Sequence, residues 1–304
     1  MKKYIVAVSG GLDSVTLLNL LVSNKLKGIK LSDPEGQLIV VHVNHGIRLD
    51  SDKTEQFVKK LAEGYNLKFI VKKLKLKGSG ESESRAERYR VLTEAQKEVG
   101  AEAIITAHNL NDKLETAIIN YIRGTGWRGY CSLTSTKDII RPILNLSRAE
   151  ISRIAAQQNL TWHEDSTNSD EGYLRNYIRK SVIPRFNQQE LKDLNILINQ
   201  FEQLKLSVDQ IFDELLEKEK EGYSFKRSQI TSLGFDEKLL SELLIYILPR
   251  LKATYDRKVI EALTGFCLSS ASGKKFLQAG NNAVIWCQRE GGDYIIKFNE
   301  GTCR

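Results

Sequence analysis

The sequence predicts an α/β protein: a parallel-sheet domain first, then a helical connector and a small α+β C-terminal domain. Three observations carry this reading. Short apolar runs rich in Val and Ile alternate with helical patterns over the first half of the chain. A 32-residue stretch, 190–221, keeps an apolar residue at every third or fourth position. Beyond Gly222, two helical patterns give way to strand-like runs separated by Gly273, Gly280, Gly291 and Gly292. The expected divisions are 1–187, 188–221 and 222–304.

Taken in order, Tyr4–Val8 is the first strand, too short for a secretory or membrane segment and running straight into Ser9-Gly10-Gly11. Ser14–Ser23 follows as a helix carrying Val15, Leu17, Leu18, Leu20 and Leu21. Leu38–Val43 and Lys68–Val71 are the next strands, with the Asp52–Tyr65 helix between them. Ser84–Val99 is the third helix, preceded by a loop at Gly78-Ser79-Gly80 and Glu81-Ser82-Glu83. Ala103–Thr106 and Leu114–Ile122 close the alternation. Ser147 with Glu150 three residues on is a capping-box pattern that opens a helix over Ser147–Gln157. In the last domain, helices over Asp236–Ile247 and Arg257–Phe266 precede strands Lys275–Leu277, Ala283–Gln288 and Tyr294–Phe298.

Composition narrows the function classes. The chain has 304 residues, 41% hydrophobic and 27% charged, with a net charge of +7. Residues 1–185 hold 29 Lys+Arg against 21 Asp+Glu, 186–221 hold 4 against 9, and 222–304 hold 12 against 8. Two basic blocks flanking an acidic connector suggest a polyanionic partner, nucleic acid or nucleotide. Cys131, Cys267, Cys287 and Cys303 form no Cys-x-x-Cys pair and read as packing residues, so neither a zinc site nor disulfides are expected. The expected setting is cytoplasmic, with no membrane partner. The apolar stripe of the connector needs a surface to pack on, which makes a homodimer one of its options.

The chemistry concentrates at Ser9-Gly10-Gly11-Leu12-Asp13-Ser14. Glycines let the backbone approach an anion, and the free amides of a following helix start face it, which is the make-up of a phosphate cradle. A lysine that would close a Walker-type loop is absent. Asp13 beside a polyphosphate would be repelled unless a divalent cation lay between them, so it reads as a Mg²⁺ ligand, with an ordinary helix-capping role as the alternative.

The hexapeptide resembles the PP-loop of the ATP pyrophosphatases, which cleave ATP between its α and β phosphates. Within them the chain is similar to the tRNA(Ile)-lysidine synthetase family, at several points in order. These are His42-Val43-Asn44-His45-Gly46-Ile47-Arg48, Ser84-Arg85-Ala86-Glu87-Arg88-Tyr89 and Ala107-His108-Asn109-Leu110-Asn111-Asp112-Lys113-Leu114-Glu115-Thr116. Arg123-Gly124-Thr125-Gly126, Arg141-Pro142, Trp162-x-Glu164-Asp165-Ser166 and Arg175-Asn176-x-x-Arg179 follow. The likeness covers residues 4–185 strongly and 222–304 more weakly. It departs where that family has His-His and Asp-Asp, reading His108-Asn109 and Asn111-Asp112 here.

The resemblance implies a PP-loop nucleotide-binding domain and a ligase that takes ATP, Mg²⁺, free L-lysine and a CAU-anticodon tRNA(Ile). The wobble cytidine would be adenylated at O2 and then attacked at C2 by the lysine amine, releasing pyrophosphate and AMP. It assigns Asp13, Asp112 and Arg85 to catalysis, with Glu115 in support. ATP falls to Ser9, Gly10, Gly11, Leu12, Asp13, Ser14, His45 and Arg88, and Mg²⁺ to Asp13. Arg123, Arg141, Arg148, Arg175 and Arg179 are assigned to tRNA phosphates. Taken alone, Asp112 is as simply a helix cap, Arg85 and Arg88 a solvated helix face, and Trp162 a packing residue; His42, His45 and His108 invite a metal or acid–base reading, against which His42 and His45 at a strand end read as groups that shape the pocket or pack beside it. A sulfur-inserting PP-loop tRNA enzyme, a small-metabolite ligase and a non-catalytic RNA-binding module are the rival readings.

Overall fold

A computed structural model of the chain describes residues 1–25, 33, 35–44, 51–74, 81–163, 174–220, 222–226, 234, 236–251, 253, 255–269, 273–278, 283–290 and 293–300. It divides into two units, Met1–Glu202 and Gln203–Arg304.

The first unit is built on five parallel strands, β1 (Lys3–Ala7), β2 (Gln37–Asn44), β3 (Lys68–Lys73), β4 (Ala103–Ile105) and β5 (Ile139–Ile140), in the order β3-β2-β1-β4-β5. The pairings set Ile5 beside Ile39 on one side and Ile104 on the other. Strand alternation sends Tyr4, Val6 and Val8 to one face, where they pack with Leu17, Leu21, Val58 and Ile151. Ile5, Ile39, Val41 and Ile104 go to the opposite face against Leu92 and Ala95. Both faces are covered by helices, which is why these strands read as continuous apolar runs. Each fully buried Ile or Leu contributes about 1.5–3 kcal/mol of transfer free energy.

The helices of this unit are α1 (Leu12–Val22), α2 (Ser51–Gly64), α3 (Glu81–Val99), α4 (Leu110–Ile122), the single turn α5 (Trp127–Tyr130), α6 (Arg148–Gln157) and α7 (Leu174–Tyr177). The chain after α7 continues as a π-helical turn, Ile178–Val182, and a 3-10 turn, Ile183–Arg185. α8 (Gln188–Leu215) begins in this unit, where Leu191, Leu194, Ile198 and Phe201 join Leu114, Ala117 and Ile178 in a separate helical core. The Ser147–Glu150 capping box forms as the sequence predicts.

Two expectations need correction. α3 starts at Glu81, so Glu81-Ser82-Glu83 is helical rather than loop; acidic side chains in a first turn are favoured by the helix dipole. The helix expected over 190–221 ends at Leu215, and Glu217–Glu219 forms strand β6 paired antiparallel with β7 (Gly222–Lys226). The Glu-Lys run is a good helix former by propensity, but strand pairing overrides so weak a preference. Strand β5, only two residues long, gave no periodic signal at all.

In the second unit, α9 (Glu237–Arg250) and α10 (Arg257–Leu268) cover one face of an antiparallel sheet ordered β6-β7-β10-β9-β8, where β8 is Gly273–Gln278, β9 Ala283–Glu290 and β10 Asp293–Glu300. Leu243, Leu244, Ile247, Leu263, Ile285, Tyr294 and Ile296 form its core. Cys267 and Cys287 meet inside it as buried free thiols, and Cys131 is buried in the first unit. Cys303 lies outside the described residues. Asp236 and Asp256 cap the two helices through their side chains. Among the described residues no helix is long and apolar enough to cross a membrane.

Candidate active site

The strand order places β1 between β2 and β4, so the chain leaves β1 and β4 toward different sides of the sheet. A crevice opens at the carboxyl ends of strands where a parallel sheet reverses in this way. The first unit has a cleft of about 810 Å³ there. Its lining comes from the turn after β1, the segment after β4, helix α3, the start of α6, the residues before position 164, and the α7 region.

The turn after β1 is built by its small residues. Gly10 has φ +91°, and a Cβ there would stand 2.7 Å from Thr54 Cγ2 on α2, so both the backbone and the space demand glycine. Gly11 is the N-cap of α1 without a side-chain cap, which leaves the first amides of α1 facing the cleft. The Ser14 hydroxyl donates to the Gly11 carbonyl (3.0 Å) and stands 3.1 Å from Ser9 Oγ, tying the turn into a loop. The His42 Nδ1–H donates to the Val8 carbonyl (2.8 Å) from below, and the His163 amide donates to the Gly10 carbonyl (3.0 Å) from above. Gly10→Ala is therefore expected to cost about 1–3 kcal/mol and to loosen the loop. Urea denaturation checks it, and an unchanged midpoint would remove Gly10 from the list of required glycines.

Asp13 points out of the first turn of α1 into the cleft. Its Oδ1 is buried and has no hydrogen-bond partner. Burial pushes its carboxyl above the usual aspartate range, the Asp112 charge adds to this, and Arg148, Asn109 and Arg179 oppose it. A buried carboxylate oxygen left without a partner is costly and marks a place for a cation.

Across the cleft, α4 starts with a capping box. Asn109 Oδ1 accepts from the Asp112 amide, and Asp112 Oδ2 accepts from the Asn109 amide, both at 3.1 Å. Asp112 is thus a capping residue and a cleft-lining carboxylate at once. The two asparagines that depart from the family pattern both have structural work. Asn109 is the cap, and Asn111 Oδ1 accepts from the Arg148 amide (3.0 Å).

One turn on, Glu115 is fully buried. Arg179 binds it in a two-pronged pair (Nε–Oε1 2.7 Å, Nη2–Oε2 2.9 Å) and reaches Asp112 Oδ1 at 3.2 Å. Arg175 donates to Thr116 Oγ1 (2.9 Å) and lies 3.5 Å from Glu115. Burial raises the Glu115 carboxyl despite Arg179. This clamp, three side chains from two helical segments, was hinted at in the sequence only by the four-residue spacing of Arg175 and Arg179.

Five arginines line the cleft: Arg85, Arg88, Arg148, Arg175 and Arg179. Arg85 and Arg88 flank the Tyr89 ring at 5.4 and 5.8 Å. Burial lowers the Arg88 pKa, with Arg85 adding to the effect. His108, 2.9 Å from Thr106 Oγ1, is pushed down to about 2 by burial and by Arg141, Arg85, Arg88 and Arg175, so it is a neutral imidazole. Trp162 and His163 line the cleft on the loop side, and Trp162 also packs on the sheet core; His163 and Tyr89 went unassigned in the sequence, as single aromatic residues without a spacing pattern.

Ser9, Gly11, Leu12, Asp13, Ser14, Arg85, Arg88, Asp112, Arg148, Arg175 and Arg179 thus share one cleft. Gly10 belongs to the same turn but is not part of the cleft lining, and faces Thr54 and Val58 of α2. Arg123 caps the carboxyl end of α4, exposed and apart from the cleft lining. Arg141 donates to the Thr134 carbonyl and acts on the cleft through its charge beside His108. His45 and the acidic run 164–170 lie outside the described residues.

The PP-loop domain family matches residues 1–186. A tRNA(Ile)-lysidine synthase of Clostridium acetobutylicum is 31% identical over 94% of this chain and 66% of its own length. Those of Caldanaerobacter subterraneus subsp. tengcongensis (35% identical; 71% of this chain, 48% of its own) and Actinobacillus pleuropneumoniae (30%; 73% and 52%) are also similar. The chain spans about half the length of most of these curated relatives. Among solved structures, a U34-tRNA thiolase from Methanococcus maripaludis shares the fold, with a TM-score of 0.56 at 19% identity over 67% of this chain and 71% of its own.

Proposed function

The chain belongs to the PP-loop family, and we infer that it uses ATP to join L-lysine to the wobble cytidine of a CAU-anticodon tRNA(Ile). The observation that carries this reading is the single cleft in which a glycine loop and an open helix start meet a partnerless buried carboxylate oxygen and five arginines. The names of the relatives supply the substrate pair.

In this reading the turn Ser9–Ser14 and the first amides of α1 hold the ATP phosphates, with the helix dipole favouring their charge. The donor set fits Mg²⁺ arriving with the nucleotide. Asp13 offers an open oxygen, Asp112 stands nearby, and no group of three or more His, Cys, Asp or Glu side chains among the described residues forms a closed metal cage. Magnesium held by one or two carboxylates and by phosphate oxygens is the usual arrangement. When bound, it would neutralise charge on the pyrophosphate.

The chain's own residues do the rest. Arg85, Arg88 and Arg148 concentrate positive charge where negative charge gathers as the cytidine O2 attacks the α-phosphate. Asp112, fixed by Asn109 and Arg179, receives the lysine amine, whose ordinary pKa near about 10.4 requires a proton acceptor or an orienting group before attack at C2. Neutral His108 can hydrogen-bond without adding charge.

The test is incorporation of labelled lysine into an unmodified CAU-anticodon isoleucine tRNA with ATP and Mg²⁺, beside a methionine tRNA of the same anticodon. Lysine uptake by the isoleucine tRNA alone is expected. AMP formation without RNA would point to a small-metabolite ligase, and RNA binding without ATP cleavage to a non-catalytic binder.

A further inference from the structure

Lys113 follows Asp112 in the first turn of α4 and is only 2% exposed. Both placements are unfavourable for a lysine. A cation at a helix start opposes the helix dipole, and an ammonium group is rarely taken out of water without partners. The partners here are two side chains of α8: Lys113 Nζ donates to Asn195 Oδ1 (3.1 Å) and to Asn199 Oδ1 (2.5 Å). These asparagines stand one helical turn apart on α8, whose Leu191, Leu194 and Ile198 pack in one core with Leu114 and Ala117 of α4. Burial lowers the Lys113 pKa, and Glu202, further along α8, opposes this.

One stretch of chain thereby holds α4 from two sides. At about 100° per residue, Asp112, Glu115 and Thr116 share one side of α4, and Lys113 lies about 100° round from Asp112 and about 160° from Glu115. Arg175 and Arg179 reach the first side, at Thr116 and at Glu115 with Asp112. Asn195 and Asn199, which follow them in the chain, take Lys113. The capping box joins Asp112 only to the start of its own helix, so it moves with that helix and does not set where the helix stands. Apolar packing between α4 and α8 is non-directional, whereas a charged donor that is costly to leave unmet favours the one register that brings it to both acceptors.

We propose that Lys113 is a positioning residue for the lysine-transfer step: by holding α4 to Asn195 and Asn199 of α8, it sets the place of the Asp112 carboxylate in the cleft. The inference rests on the preceding reading, in which Asp112 receives the lysine amine, and extends it. Asp112 lines the cleft and Lys113 is not part of that lining, so Lys113 acts through its neighbour. The effect is specific to one step. Adenylation draws on Ser9–Ser14 and the arginines, with Asp13 keeping the open oxygen, whereas attack at C2 draws on Asp112. A misplacement of about 1 Å at such a group can cost about a hundredfold in rate.

The experiment follows the two steps separately on the full chain with the unmodified CAU-anticodon isoleucine tRNA. Pyrophosphate release is measured without lysine, and labelled lysine uptake at saturating lysine, with thermal melting alongside. Lys113→Met is expected to slow lysine transfer about tenfold or more and pyrophosphate release by less than about twofold. Loss of folded protein lowers both rates in the same proportion, so the ratio of the two steps is a readout that a merely structural role leaves unmoved. Asn199→Ala removes one acceptor and should lower the ratio in the same direction by a smaller factor; it decides the matter if Lys113→Met does not fold. In Lys113→Met/Asn195→Leu/Asn199→Leu, apolar side chains should restore melting while the ratio stays low. A ratio unchanged in either single variant, pyrophosphate release that falls as far as lysine transfer, or a ratio restored together with melting in the triple variant would each overturn the positioning role and leave the ligase reading intact. A wild-type chain that transfers no lysine would instead overturn the ligase reading itself.

Discussion

Asp13→Asn is expected to lower AMP release by about 10²–10³-fold and to make the protein more stable. The two effects have one origin. The Asp13 carboxylate keeps one oxygen buried without a partner, and burial holds its pKa above the ordinary range. The folded state therefore holds the Asp13 proton to a higher pH than the unfolded chain does. Between those two pKa values stability falls as pH rises, and above both the loss is complete. The amide has no charge to desolvate, so the variant gains ~1 kcal/mol at neutral pH and nothing at a pH where Asp13 is already protonated. Denaturation midpoints of the two proteins should converge in acid and separate toward neutrality. Midpoints that differ equally at all pH values would show that the charge of Asp13 is not the cause. Turnover within a few-fold of wild type would remove Asp13 from the reaction, whatever the stability did.

The same residue shows how far the sequence could be read. Ser9–Ser14 between an apolar strand and an apolar helix specified a glycine turn opening onto a helix start, because each residue acts through local geometry: glycine at positive φ, amides at a helix start, a carboxylate in the first turn. The strands of the parallel sheet were readable for a similar reason. Tyr4 through Val8 is apolar on both faces, and only a sheet covered on both sides needs that. What could not be read is whatever depends on distant residues meeting. The contacts of Arg175 with Thr116 and of Arg179 with Glu115 have no sequence signal beyond the spacing of the two arginines. Asn109 and Asn111 stood out as departures, yet one caps α4 and the other holds the Arg148 amide. Neither role has a sequence period. The helix carried too far, past Leu215 to residue 221, failed in the same way, because β6 exists only through its pairing with β7.

Glu115→Ala is expected to destabilise the protein by about 3–5 kcal/mol, a fall in Tm on the order of 10 °C for a unit of this size. Glu115 has no solvent exposure, and its two oxygens carry the two-pronged pair with Arg179 and the approach of Arg175. Removing the carboxylate leaves a buried space beside two arginines and takes away both oxygens of the two-pronged pair, with Arg179 still in reach of Asp112. The two partners pull in opposite directions: burial raises the Glu115 carboxyl, which opposes its ionisation, while Glu115 and Asp112, against burial, hold the Arg179 guanidinium above its usual range, which favours its charge. Burial raises the Glu115 carboxyl even with Arg179 attached, so ionising it in the folded state is harder than in the unfolded chain. With the folded pKa above the unfolded one, this group's contribution declines as pH rises through the carboxylate range. A pair whose burial and attraction oppose each other, and that costs far more to break, is suited to fixing geometry: Glu115 holds Arg179 against Asp112, and Arg175 at the cleft wall. The double variant Glu115→Leu/Arg179→Leu separates the two roles. It should recover much of the stability lost in Glu115→Ala, as apolar replacements of buried pairs often do, while AMP release stays low because Asp112 has lost its partner. Recovery of both stability and turnover in the double variant would show that the clamp contributes nothing to positioning. Recovery of neither would mean that Arg175 and Asp112 bind the pair into a larger network that no two-residue change can replace.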